Sequence, residues 1–171
     1  VFSGSKSLLS IAIPLGLSLA ILLYRLKYIE ASWMDVGSPV FFGAAMMLHF
    51  FAPTVLGRYG YTFGNLALAL IWASTLVTET PLTACYSRYN YEDGFEKNPL
   101  FLEVNARITA FWVAIYIAMA GLSLAVPTVP LYRAAWVAMT YVLLIPAFAF
   151  TKRFPEWYIA RRVSGKASTN P

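Results

Sequence analysis

The sequence predicts an all-α integral membrane protein that crosses a bilayer five times, with its N-terminus outside and its C-terminus in the cytoplasm. Three observations carry that expectation. Of 171 residues, 59% are apolar and only 12% are charged; mean hydropathy is +0.62; and five apolar stretches, at about 8–24, 39–56, 61–77, 108–126 and 131–150, hold a single formal charge, Arg133. Soluble domains carry about twice this charge fraction, which excludes a water-soluble fold. A hydrocarbon core about 30 Å thick is crossed by about 20 helical residues, and aromatic flanks complete the shorter stretches. Helices are favoured over barrel strands because the runs lack an apolar-out, polar-in alternation.

Orientation follows from Lys and Arg. The N-terminal tail and the links at 57–60 and 127–133 carry Lys6, Arg58 and Arg133, whereas the 25–38 link, the 78–107 segment and the 151–171 tail carry the other ten basic residues. The positive-inside rule places the richer side in the cytoplasm. The net charge of +5 is spread beside the spans, which argues for anionic lipid headgroups, at about 1 kcal/mol per basic residue near the surface, and against nucleic acid. Cys85 stands alone, so neither an internal disulfide nor a Cys/His metal pattern is expected.

Residues 1–171 read as one domain, since no linker divides them. The first span, with Pro14, is apolar around most of its circumference. The second holds His49, the only imidazole, in Met46-Met47-Leu48-His49. An ionisable residue at membrane depth is a functional candidate: an axial ligand to haem or chlorophyll, or a contact to a quinone. A neutral ring bonded to a neighbouring carbonyl is the favoured alternative, and no cofactor is expected. The third span opens on Gly60 and Gly64, extended by Ala67, and the fourth carries Ala114, Ala118, Gly121 and Ala125. Such small faces let another backbone approach; internal packing is the preferred reading and homodimerisation the other. Asn65 and Asn105 are expected to donate hydrogen bonds between helices. Pro14, Pro53 and Pro146 are expected to kink their spans.

Glu79, just after the third span, is a weak candidate for an ion path. In the 78–107 segment, Tyr86, Arg88, Tyr89 and Tyr91 have the aromatic and arginine character of a protein contact. Asn98-Pro99 reads as an N-cap and first helical residue, and Phe101, Val104, Ile108 and Phe111 recur at helical spacing. The fourth helix should therefore begin near 98–107, before the membrane, with Glu103 and Arg107 paired on its wet face. Pro127-Thr128-Val129-Pro130 turns the chain into the fifth span. After Pro155, Trp157, Tyr158 and Ile159 beside basic residues predict an amphipathic interfacial tail, with Lys152, Arg153, Arg161, Arg162 and Lys166 against lipid headgroups.

The order of features from about residue 66 to 162 resembles the bacterial intracellular septation protein A family. The similarity lies in Thr80-Pro81-Leu82 closing the third span, Leu100-Phe101 through Asn105 and Trp112 entering the fourth, Trp136-Val137 opening the fifth, and the basic tail. The spacing from Asn105 to Trp112 and the insert at 86–97 are longer than in that pattern. The tryptophan-proline signature of the translocator protein family is absent. The resemblance implies a five-span inner-membrane protein that acts through contacts with envelope machinery, and it transfers no catalytic residue. The sequence alone thus points to a non-catalytic scaffold or accessory subunit that binds membrane proteins and anionic lipid. Its rivals are a pigment, haem or quinone subunit built on His49 and a small transporter using Glu79.

Overall fold

A computed structural model describes residues 4–90, 94–125 and 130–167. These form helices α1 (Gly4–Tyr28), α2 (Trp33–Phe51), α3 (Pro53–Ser74), α4 (Leu82–Ser87), α5 (Pro99–Leu124), α6 (Pro130–Tyr141) and α7 (Leu144–Ala167), with no strand among the described residues. Five stretches are long and apolar enough to cross a membrane: Leu8–Tyr28, Trp33–Phe51, Pro53–Val77, Pro99–Leu124 and Tyr132–Arg162. The expected Tyr91 contact and the 127–129 part of the turn lie outside the described residues, as does the side chain of Lys166.

Local chemistry moves several boundaries. Helix α2 starts at Trp33, well before residue 39, because Ser32 and Asp35 close a capping box: the Asp35 carboxylate accepts from the Ser32 backbone N–H at 2.7 Å, and Ser32 Oγ accepts from the Asp35 N–H at 3.3 Å. Pro53 does not kink the second span; it ends it. The residue before a proline is driven out of the helical region, and Ala52 accordingly turns at φ −147°, ψ 59° while Pro53 begins α3. Residues 57–60 are therefore helix, not a link. Pro146 acts more strongly than a kink. It has no N–H for the Val142 carbonyl, which accepts instead from Ile145 at 3.0 Å, so the fifth crossing is split into α6 and α7. Pro155, by contrast, lies inside α7, and the expected separate tail is that helix's second half.

The spans pack in chain order, α1 on α2, α2 on α3, α3 on α5, and α5 on α6 and α7. Helix α5 is the axis of the core. Its Val104, Ile108 and Trp112 are buried together with Ala147 of α7, and Trp72, Phe111, Tyr116, Phe150 and Phe154 close around them. The ion pairs Arg25–Asp35, Arg88–Glu30 and Arg162–Glu103 lie at the end of the bundle where α1 ends and α2 and α5 begin, the basic end. At the opposite end, Arg133 donates to the Gly57 carbonyl at 3.0 Å.

Candidate functional site

The segment expected to be a polar link after the third span folds back against α5. A six-residue helix cannot hold itself together, and α4 is held by side chains. The Thr75 hydroxyl donates to the Trp72 carbonyl at 2.7 Å and accepts from the Leu82 N–H at 3.0 Å. Thr83 donates to the Asn105 carbonyl at 2.8 Å, so its 2.9 Å bond to Thr109 is donated by Thr109. Ser87 donates to Asn105 Oδ1 at 3.2 Å, and Asn105 Nδ2 to the Phe101 carbonyl at 2.9 Å. Thr75, Leu82, Ala84 and Thr109 are sealed from solvent. At 1.5 Å per residue, Thr109 lies about 15 Å along the axis from the start of α5, which measures how far α4 reaches along that helix.

Between α4, the first turns of α5 and the middle of α7 lies a half-open cavity of about 600 Å³. Thr83, Tyr86, Ser87, Asn98 and Asn105 give it a polar end, and Trp72, Ile108, Trp112 and Phe148 an apolar one. A second cavity, of about 510 Å³, lies between α2, α3, α5 and the α6–α7 break. Trp112 and Phe148 line both, their rings edge to face at 5.2 Å, and the Trp112 indole donates to Thr151 at 2.9 Å. Among the described residues, no Asp, Glu, Lys, Arg or His lines either space.

The basic end is tied by charge. Glu103 accepts from Arg107 at 3.1 Å, from Arg162 at 2.8 Å and from the Tyr158 hydroxyl at 2.5 Å, which binds the end of α7 to the start of α5. Arg88 reaches Glu30 at 3.3 Å, Tyr86 donates to Ser32 at 3.3 Å, and Arg25 meets the buried Asp35 at 3.4 Å. Burial pushes the Cys85 thiol up from its ordinary value, with Arg88 pulling the other way.

The expected site residues are dispersed by this arrangement. His49 lies in the last turn of α2, edge-on to Phe50 at 5.6 Å, and lines neither cavity. It sits near a helix end and not at mid-membrane, because the turn is at Ala52. Among the described residues no three His, Cys, Asp or Glu side chains form a metal-binding group. Gly60, Gly64 and Ala67 line the second cavity, where a Cβ on Gly64 would stand at an ordinary 3.8 Å from Phe41. The tight helix approach is elsewhere: a Cβ on Gly37 would come within 2.5 Å of Ile71. Ala114, Ala118, Gly121 and Ala125 are exposed, so internal packing does not explain their stripe. Asn65 donates within its own helix, to the Tyr61 carbonyl at 3.0 Å, and makes no interhelical bond among the described residues. Asn105 likewise donates within α5 and links to α4 as an acceptor.

Tyr86, Arg88 and Tyr89 sit together, partly occupied by Ser32, Glu30 and one another. Lys152, Arg153 and Arg161 are exposed, Arg162 is paired with Glu103, and Glu79 is exposed in its turn. Sequence reasoning passed over Thr75, Thr83, Thr109 and Trp72, although Leu82-Thr83-Ala84-Cys85 is more apolar than a solvated link requires. It also passed over the Thr62–Ser123 bond of 2.7 Å that joins α3 to α5 near the opposite end.

Fold and site together define an all-helical protein, among the described residues, with five helices long and apolar enough to cross a membrane and a short helix folded back on α5 at its basic end. No family model, no curated protein and no solved structure matches the chain.

Proposed function

We propose that this chain is a non-catalytic scaffold or accessory subunit of a bacterial inner membrane, its basic end in the cytoplasm, which binds other membrane proteins laterally and anionic lipid through Lys152, Arg153 and Arg161. The observation that carries this reading is the exposed stripe on α5: Ala110, Ala114, Ala118, Gly121 and Ala125 all face out of the bundle. Exposed small residues elsewhere form shorter sets, Gly16 and Ala20 on α1 and Ala134 and Ala138 on α6, and on α1 they stand among the exposed Leu9, Ile13 and Leu17. Lipid solvates large aliphatic side chains well, whereas a face of Ala and Gly favours a second helix backbone at close range. The septation-family resemblance points to envelope machinery as the setting. His49 and Glu79, the anchors of the rival readings, line neither cavity.

The test is the size of the particle extracted from its own membrane in mild detergent. Wild type is expected to run larger than one chain, and Ala118→Leu with Gly121→Leu to reduce it to a single chain while Leu17→Ala leaves it unchanged. A single-chain wild-type particle, or a large one indifferent to the α5 variants, would overturn the proposal. Mass spectrometry of the large particle separates a homodimer from a mixed assembly.

A further inference from the structure

We infer that the cavity between α4, α5 and α7 binds one neutral long-chain amphiphile whose head carries a carbonyl oxygen, with the chain running past Trp112 and Phe148 toward the second cavity. This inference stands apart from lateral docking and uses a different surface.

The absence of charge decides the class of head. None of the described residues around either cavity is Asp, Glu, Lys, Arg or His. A phosphate, carboxylate or ammonium entering here would lose its hydration without gaining a counter-charge, at a cost of several kcal/mol by the general rule for unpaired buried ions. A neutral head escapes that cost.

The hydrogen-bonding groups decide what the head must offer. Asn105 is 6% exposed and lines the cavity. Its amide nitrogen has two hydrogens, and one of them serves the Phe101 carbonyl. The second is a buried donor at the cavity wall. Trp72 belongs to the same wall, but its indole N–H, which has no partner among the described residues, is sealed from the cavity and is not counted as a donor to the head. The hydroxyls nearby are spent on protein: Ser87 on Asn105, Thr83 on the Asn105 carbonyl, and Thr151 on the Ala147 carbonyl. Their oxygens can still accept, but the donor hydrogen the wall has to spare is the second one of Asn105. An ester or quinone carbonyl supplies the matching acceptor, and a buried donor left unpaired is costly.

The walls decide the rest of the molecule. From Asn105 to Trp112 the cavity passes from amide and hydroxyl to aromatic lining over about 10 Å of helix rise. At about 600 Å³ the space is in the usual range for a small-molecule site. Trp112 and Phe148 form a shared wall with the second cavity, and Phe148 is 62% exposed, so the partition stands at the edge of the bundle where a chain enters from lipid.

The experiment reads ligand-dependent thermal stabilisation of the full chain in a maltoside detergent, since a ligand that binds only the folded state raises the melting temperature with saturation. The probes are decylubiquinone, a neutral quinone, and monoolein, a neutral ester; hexadecylphosphocholine and oleate serve as charged counterparts. The expected result is a saturable shift with at least one neutral probe, and whichever acts identifies the source of the carbonyl. Asn105→Leu, which removes the donor, is expected to weaken binding about tenfold, the effect of one lost hydrogen bond, and Ile159→Trp, which crowds the rim, is expected to weaken it by steric exclusion. Ile145→Trp, on an exposed position outside both cavities, leaves it unchanged. If Asn105→Leu does not fold, Ile159→Trp carries the comparison. No saturable shift with either neutral probe, equal shifts in all variants, or a stronger shift with the charged amphiphiles would overturn the inference.

Discussion

Helix α1 and helix α5 are both long and apolar, yet the structure uses them in opposite ways. Helix α1 packs chiefly on α2 and shows Leu9, Ile13, Leu17 and Leu23 outward, each more than half exposed. Helix α5 touches α3, α4, α6 and α7, and buries Phe101, Val104, Asn105, Ile108, Thr109, Trp112, Met119, Ala120 and Ser123. In water both helices would be driven to bury their apolar surface. In lipid that force between helices vanishes, because acyl chains are as apolar as leucine. What holds α5 is therefore the set of contacts lipid cannot imitate: hydroxyl bonds to Thr83 and Thr62, the rings of Trp72, Tyr116 and Phe148 around Trp112, and the Glu103 cluster.

That contrast can be broken first at Trp112. Trp112→Ala removes a ring that is 6% exposed along with its bond to Thr151, and the loss of packing, ring contacts and one hydrogen bond is expected to lower the unfolding midpoint in mixed micelles more than any other substitution here. Leu17→Ala on α1 is the matched control, with an expected change within about 0.5 kcal/mol. If the two are equal, the division into a lipid-solvated edge and a packed core fails. A smaller effect sharpens it: Thr109→Val takes the donor from Thr83 while keeping the shape, and about 1 kcal/mol is expected from interhelical bonds in membranes.

Glu103→Gln tests the tie between α5 and the end of α7. Arg162 and Tyr158 lose their anionic partner, so trypsin should cut after Arg161 and Arg162 several-fold faster in detergent, with the crossings intact. The smallest expected effect is at Cys85. Burial raises its thiol above the ordinary value and the Arg88 charge lowers it, so less thiolate is present at a given pH than for a free cysteine. Maleimide labelling should be slower than that of a model thiol, and Arg88→Ala should move its pH profile further to the alkaline side; a shift to acid would show that Arg88 does not act on the thiol.

Several parts of this arrangement were legible in advance because their causes are local. Asn98 caps α5, its Oδ1 accepting from Leu100 at 2.9 Å, and Glu103 meets Arg107 across one turn. Both follow from residues within four positions of one another. The capping box at Ser32 and the turn before Pro53 are equally local, and their signals were present in the letters. The outward face of the α5 stripe was not legible. Ala114 and Ala120 look alike in the sequence, and only the position of α3 and α7 makes one exposed and the other buried.

The sequence by itself determined an all-helical fold with five stretches long and apolar enough to cross a membrane, since the length and polarity of each stretch are set against a bilayer of fixed thickness. It also determined the start of α5. The tertiary structure alone decided that residues 82–87 return along α5, that Gly60 and Gly64 border a space and do not clasp a helix, and that two cavities meet at Trp112 and Phe148. The reason is physical: apolar periodicity separates inside from outside only where the outside is water, and within a membrane that distinction is drawn by contacts between residues far apart in the chain.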